Sequence, residues 1–201
     1  MTDAQKAPNL LDFEGVPPHR AAASRCLVLL VDAQARLVPA IRDGDAVVAA
    51  MDRLLRGADR LGIPAYATEH CADAIGGTVA PLAGRLGTGR LLAKRSFDAT
   101  AEPEVRRSLD GTARPIVVVA GVEAHVCVAQ TALGLLASGR RVFVAEDACG
   151  SRRGSDRDAG LARLRAAGCV PATVEALLFE WLGDADNPAF RDVLSIIKEA
   201  R

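Results

Sequence analysis

The sequence predicts an α/β fold in which helices cover both faces of a mainly parallel sheet. Short apolar runs alternate with segments of helical apolar spacing along nearly all of the 201 residues. The two most apolar runs, 26–31 and 116–120, show no polar alternation, which is typical of strands covered on both faces. Half of the residues are hydrophobic but only 3% are aromatic, so aliphatic side chains must fill the core.

Each predicted element follows from a local pattern. The strands are short apolar runs, and we place them at residues 26–31, 63–68, 90–94, 116–120, 141–145 and 169–173. The helices have apolar residues three or four positions apart, and we place them at 45–61, 102–109, 127–138, 155–167, 175–182 and 188–198. Glycines and Pro81 interrupt residues 69–89, which predicts a loop with a short helix near 79–85.

The chain reads as one domain without a targeting segment. No repeat or linker divides it, so we expect an irregular arm at residues 1–23 and a single domain at 24–201. The formal net charge of zero argues against nucleic acid or an anionic membrane as the main partner. The first residues lack the apolar run of a signal peptide, and no apolar run is long enough to span a bilayer.

Five scattered cysteines indicate a reducing compartment. Their number is odd and no CxxC occurs, so neither a disulfide framework nor a cysteine-rich zinc site is expected. We therefore predict a cytoplasmic protein. The sequence also lacks GxGxxG after the first strand and lacks a P-loop, so no organic cofactor is predicted.

Three ionisable residues follow three different strands of the predicted sheet. Asp32 ends the first strand, Lys94 ends the third, and Cys127 lies where the fourth gives way to a helix. Parallel strands with right-handed crossovers end at one edge of a sheet, which is where such sheets bind ligands. We therefore expect the three side chains to lie close together.

A carboxylate, an ammonium and a thiol at one edge suit acyl transfer. A helix start lowers a thiol's pKa and offers free N–H groups to an oxyanion, Asp32 could accept the thiol proton, and Lys94 could stabilise the charge. Each residue also has a plainer interpretation. Free cysteines are usually buried apolar residues, an aspartate often ends a strand as a turn or cap residue, and a Lys–Arg pair is usually solvated surface.

The segments LLVDAQ, AKRSFDA and AGVEAHVCVAQTALGLLASGRRVFVAEDACGSR resemble the isochorismatase-like cysteine hydrolases. The resemblance covers about residues 24–182 and is closest to the isochorismatase-domain-containing branch. It implies a three-layer α/β/α fold with a six-stranded, mainly parallel sheet. It also implies a triad of Asp32, Lys94 and Cys127, and a cis peptide bond between Val122 and Glu123. The oxyanion would be held by the backbone around Val122, Glu123, Val126 and Cys127.

Two departures from relatives narrow the function. Nicotinamidases of this superfamily carry an Asp-x-His metal motif after the second strand, whereas this chain has Thr68-Glu69-His70-Cys71-Ala72-Asp73, so no metal is predicted. His70 and Asp73 could still bind one, but a surface-loop histidine is the expectation. True isochorismatases do not need the cysteine to hydrolyse a vinyl ether, so the presence of Cys127 favours an acyl bond. Phe97, His125 and His70 are weaker candidates for the substrate pocket; each could equally be a loop or turn residue.

The sequence thus predicts a cysteine hydrolase that cleaves a small amide or related acyl bond through a thioester on Cys127. Two alternatives stay open: a catalytically silent scaffold of the same fold, and a redox-sensing thiol protein. Family resemblance also implies a homo-oligomer, a dimer or larger, with the segment 177–182 either at the contact or in the core.

Overall fold

A computed structural model describes residues 19–87 and 89–199, and its centre is a six-stranded sheet in which every strand pair is parallel. The strand order is β3-β2-β1-β4-β5-β6. The strands are β1 Cys26–Val31, β2 Ala65–His70, β3 Leu91–Lys94, β4 Ile116–Val122, β5 Arg141–Gly150 and β6 Val170–Ala172. The predicted arm at 1–23 lies largely outside the described residues.

Helices connect the strands and cover both faces. They are α1 Gly44–Arg60, α2 Ala72–Ile75, α3 Ala80–Leu86, α4 Pro103–Asp110, α5 Ala129–Ala137, α6 Gly154–Ala166, α7 Val174–Leu182 and α8 Phe190–Lys198. A single π-helical turn, Ala124–Val128, stands between β4 and α5. None of the described helices is long and apolar enough to cross a membrane.

The side chains of each central strand alternate between two cores. In β1, Cys26, Val28 and Leu30 face α1, α3, α7 and α8, whereas Leu27, Leu29 and Val31 face α4, α5 and α6. All six are fully buried. The three-layer α/β/α prediction is therefore confirmed, and the continuous apolar run reflects burial on both faces.

The C-terminal segment 177–182 lies mainly in the core. Leu177, Leu178, Trp181 and Leu182 pack in the first of these cores, and Phe179 is 41% exposed. Of the two interpretations left open by the sequence, the core is the one the structure supports for these four residues.

Several predicted boundaries were wrong near the sheet edge. β2 begins two residues later than predicted and extends to His70, and β5 continues five residues past Ala145. Gly121 does not end β4, because the strand continues through a register shift that pairs Gly121 with Cys149 and Val122 with Gly150. Cys127 lies inside the π-helical turn and not at the first residue of an α-helix.

Candidate active site

A fully buried ion pair joins the ends of β1 and β3. The Oδ2 atom of Asp32 lies 2.7 Å from the Nζ atom of Lys94, and neither side chain has any exposed area. The other oxygen of Asp32 accepts a 2.7 Å hydrogen bond from the Thr68 hydroxyl. Lys94 also donates to the carbonyl of Ser96 at 3.1 Å. Buried charges are tolerated only when paired in this way, so the pair has a fixed geometry.

The backbone directs Asp32 into this position. Asp32 has a left-handed conformation with φ of 55°, which aspartate adopts more readily than most residues. Its N–H donates to the carbonyl of Thr68, so the turn is anchored to β2 on the side that supplies the Thr68 hydroxyl. The sequence predicted that Asp32 and Lys94 would meet, and they do.

The Cys127 thiol lies beside this ion pair. Asp32 and Lys94 both act electrostatically on its side chain, and the residue is 7% exposed. Burial, followed by the negative charge of Asp32, raises the pKa of the thiol from 9.0 to about 12, while Lys94 acts in the opposite direction. The expectation that the helix start would lower this pKa is therefore wrong, because desolvation is the larger effect.

Close backbone packing shapes the turn that carries Cys127. The peptide bond between Val122 and Glu123 is cis, as the resemblance implied. Just before it, Gly121 has φ of 145°, and a Cβ atom there would lie 2.2 Å from the carbonyl oxygen of Val31. Only glycine permits this approach of β4 to β1, which brings the turn to the end of β1 where Asp32 begins.

Several N–H groups of the turn already have acceptors. Ala124 donates to the hydroxyl of Ser151 at 3.1 Å, and Val126 and Val128 donate to the carbonyl of Glu123 at 3.1 and 3.2 Å. Of the predicted oxyanion group of Val122, Glu123, Val126 and Cys127, Val126 therefore has its N–H engaged within the turn.

The loop between β5 and α6 supports the turn from outside. The buried hydroxyl of Ser151 also bonds with Nδ1 of His125 at 3.0 Å. Arg152 forms two hydrogen bonds with the carboxylate of Glu123, at 2.7 and 3.3 Å. Sequence reasoning missed the role of Ser151, because nothing local to residue 151 indicates contact with a turn 27 residues earlier.

The weaker pocket candidates separate into two groups. His70 is the last residue of β2, and Phe97 lies just beyond β3. Their rings stack with the centroids 5.2 Å apart. His125 instead turns its Nδ1 to Ser151 and so supports the turn. A groove of about 340 Å³ lies beside the ends of β2 and β3. Its lining includes Cys71, Lys94 and Arg95 but not Cys127.

No cluster of three or more His, Cys, Asp or Glu side chains that could hold a metal ion occurs among residues 19–87 and 89–199. The five cysteines are free, and Cys71 is the one among them that is not buried.

Comparison with known proteins assigns the chain to a family. The model of the isochorismatase domain matches residues 26–176, which include the whole of the Asp32, Lys94 and Cys127 cluster. The chain belongs to the isochorismatase family.

Relatives of this isochorismatase-family chain cover most of its length. Isochorismatase domain-containing protein 2A of Mus musculus is 36% identical over 174 residues, which are 86% of this chain and 82% of that protein. The structure of MAR1 ribonuclease from Caenorhabditis elegans has a TM-score of 0.84 at 29% identity, covering 89% of this chain and 92% of that one. YcaC from Pseudomonas aeruginosa, determined with hexane-2,5-diol and covalent acrylamide, has a TM-score of 0.83 at 28% identity, with 88% and 91% covered.

Proposed function

We propose that this isochorismatase-family chain is a cysteine hydrolase that cleaves a small amide or related acyl compound. The position of the Cys127 thiol beside the buried Asp32–Lys94 pair is the observation that carries this proposal. It brings a nucleophile, a proton acceptor and a fixed positive charge together in a site shielded from water, where electrostatic stabilisation is strongest.

The proposed reaction has two halves. Asp32 takes the thiol proton as the Cys127 sulfur attacks the carbonyl carbon, and the oxyanion is held by the N–H groups of Glu123 and Cys127. The same proton passes to the leaving nitrogen, the C–N bond breaks, and an amine or ammonia departs from a thioester. Water then attacks the thioester, with Asp32 accepting its proton and returning it to the sulfur. Lys94 stays charged throughout and stabilises the carboxylate and the developing anion.

The high thiol pKa fits a nucleophile that is activated only when substrate binds. At neutral pH a thiol with a pKa of about 12 stays protonated, so the resting enzyme is protected from random oxidation and alkylation. This argues against the redox-sensing alternative, which needs a low-pKa, accessible thiol. Covalent acrylamide on the related YcaC supports the presence of a reactive side chain in a protein of this fold, since nucleophiles add to acrylamide at its alkene.

The silent-scaffold alternative has to explain the buried charges. A buried ion pair often adds little to stability relative to apolar residues of similar volume. A protein that needed only the fold would gain nothing evident from holding Asp32 and Lys94 against a thiol. The homo-oligomer, the cytoplasmic location and the absence of nucleic-acid partners stay predictions.

The test is hydrolysis of a panel of small amides by the purified protein, measured as ammonia or amine release. We expect at least one amide to be hydrolysed, and Cys127→Ala to lose at least about a thousandfold in kcat, as is usual when a covalent nucleophile is removed. An RNA substrate belongs in the same panel, because several structural relatives, among them the Caenorhabditis elegans protein, are called ribonucleases. Activity on any substrate that survives in Cys127→Ala would contradict the proposed chemistry.

A further inference from the structure

One nitrogen of His70 is buried without a hydrogen-bond partner. Within the part of the chain that the structure describes, nothing bonds to its Nδ1 atom. Buried polar atoms are nearly always satisfied, and an exception needs an explanation. One explanation is a ligand, which would supply the missing hydrogen bond to Nδ1 when it binds.

The backbone of His70 is held firmly in place. The fully buried side chain of Gln34 accepts a 2.8 Å hydrogen bond from the N–H of His70 and donates a 3.0 Å bond to its carbonyl. The same amide also bonds with the carbonyl of Gly76. The main chain of His70 is therefore fixed from both sides, so its side chain projects from a rigid position.

That position borders the candidate active site. His70 pairs in register with Lys94. Side chains two apart on a strand share a face, so the His70 ring lies on the same face as Thr68, whose hydroxyl bonds with Asp32. His70 is thus level with Lys94 and lies one same-face position beyond Thr68, toward the open edge of the sheet.

Phe97 adds an exposed aromatic surface to this position. Its ring stacks on the His70 ring with an angle of 29° between the planes. It is nonetheless 51% exposed, although phenylalanine is among the residues most often buried. A flat group bound there would cover apolar surface and gain the preferred offset-stacked geometry.

We propose that His70 and Phe97 form the subsite for the acyl group of the substrate, which is a small amide whose acyl group is planar and carries a hydroxyl. This rests on the proposed hydrolase function and adds the substrate class. The planar group packs on Phe97. The hydroxyl satisfies Nδ1 of His70 in either tautomer, because a hydroxyl can both donate and accept a hydrogen bond.

The experiment compares dissociation constants of benzamide and its three monohydroxy isomers, measured by ligand-observed NMR on Cys127→Ala. This background separates recognition from chemistry. We expect at least one hydroxy isomer to bind roughly fivefold or more tightly than benzamide, the gain of one net hydrogen bond. Adding His70→Phe should abolish this preference. The dissociation constant of benzamide should stay within about twofold of its value in Cys127→Ala alone, because phenylalanine keeps the ring stack with Phe97.

Two further variants complete the design. Phe97→Ala should weaken all four ligands together, and His19→Phe, the same change at an exposed histidine, should alter none of them. The proposal is overturned if no hydroxy isomer is preferred, or if the preference survives His70→Phe. Ammonia release by the wild-type protein is measured separately. A preference for a hydroxy isomer without ammonia release would reject the hydrolase function and support the subsite. Ammonia release without such a preference would support the hydrolase function and reject the subsite.

Discussion

At the scale of single residues, the central feature is a pair of opposite charges placed where no water reaches. The Asp32–Lys94 contact of 2.7 Å with no exposed area on either side chain makes each charge depend on the other. The thiol of Cys127 then responds to both, since Asp32 raises its pKa and Lys94 lowers it. The reactivity of the cysteine is therefore set by its neighbours more than by its place near a helix.

Removing one member of the pair should be more harmful than removing both. Lys94→Met leaves the Asp32 carboxylate buried without a counter-charge, so we expect the free energy of unfolding to fall by about 3–5 kcal/mol. The double variant Asp32→Asn/Lys94→Met keeps the volume and an acceptor for Thr68, and should be clearly more stable than Lys94→Met alone. Urea unfolding of the wild type, both single variants and the double variant measures this. Equal stability of the single and double variants would refute the coupling.

The thiol titration has a predictable direction. Wild-type Cys127 should remain protonated up to about pH 11, given its pKa of about 12. Asp32→Asn should lower that pKa because it removes a negative charge that disfavours the thiolate, and Lys94→Met should raise it. Thiolate absorbance, taken as the difference between each protein and the same protein with Cys127→Ala, reports the pKa. A higher Cys127 pKa in Asp32→Asn than in the wild type would contradict the electrostatic account.

At the scale of secondary-structure elements, the sequence predicted what is local and missed what depends on partners. β1 and the beginning of β4 were predicted correctly, because continuous apolar runs are a direct signature of buried strands. The extension of β2 to His70 depends on Gln34, which lies 36 residues away. The late part of β5 exists because it pairs with β4 after the register shift, which no local pattern encodes.

The same distinction applies to the candidate site. Asp32, Lys94 and Cys127 were found because parallel strands end at one edge, so chain order alone placed them together. The support given by Ser151 and the raised pKa of Cys127 depend on packing between elements. The cis peptide bond came only from family resemblance, since nothing in the residue types of Val122 and Glu123 requires it.

The contact between α6 and the π-helical turn gives an element-scale prediction. A Cβ atom on Gly160 would lie 2.7 Å from the Cα of His125 and 3.0 Å from the carbonyl oxygen of Ala124. Gly160→Ala should therefore displace the turn, lower the free energy of unfolding by about 1–3 kcal/mol and reduce hydrolysis.

Gly84→Ala is the matched control for this change. A Cβ atom there has no neighbour within 4 Å, and alanine is the better helix former, so stability should be unchanged or rise by up to about 1 kcal/mol. Thermal unfolding and amide turnover of both variants test the contrast. If the two substitutions behaved alike, the close approach of α6 would have no role in holding the turn.

At the scale of the whole molecule, the core contains several thiols that must stay neutral. Burial raises the pKa of Cys26, Cys127 and Cys149 to about 12 and that of Cys169 to about 11, from an ordinary value of 9.0. The folded protein therefore holds these protons more tightly than the unfolded chain. The resulting stability is fully present below pH 9 and is lost as the pH rises toward the folded values.

Stability should accordingly fall steeply in alkali. Between about pH 9.5 and 11, each such thiol should lower the free energy of unfolding by up to about 1.4 kcal/mol per pH unit. Urea unfolding at a series of pH values should show this slope, and Cys149→Ala should reduce it by about one thiol's share, whatever its effect at neutral pH. An unchanged slope in Cys149→Ala would show that buried thiols do not govern the alkaline transition.

The measurement that tests the central claim most directly is the position of an acrylamide adduct, mapped by mass spectrometry after brief exposure near neutral pH. If Cys127 is a nucleophile activated by Asp32 when an amide binds, it should be modified before the more accessible Cys71, and Asp32→Asn should slow that modification at least about tenfold, within the usual contribution of a general base. Modification of Cys71 first, or a Cys127 rate that does not change in Asp32→Asn, would contradict the account.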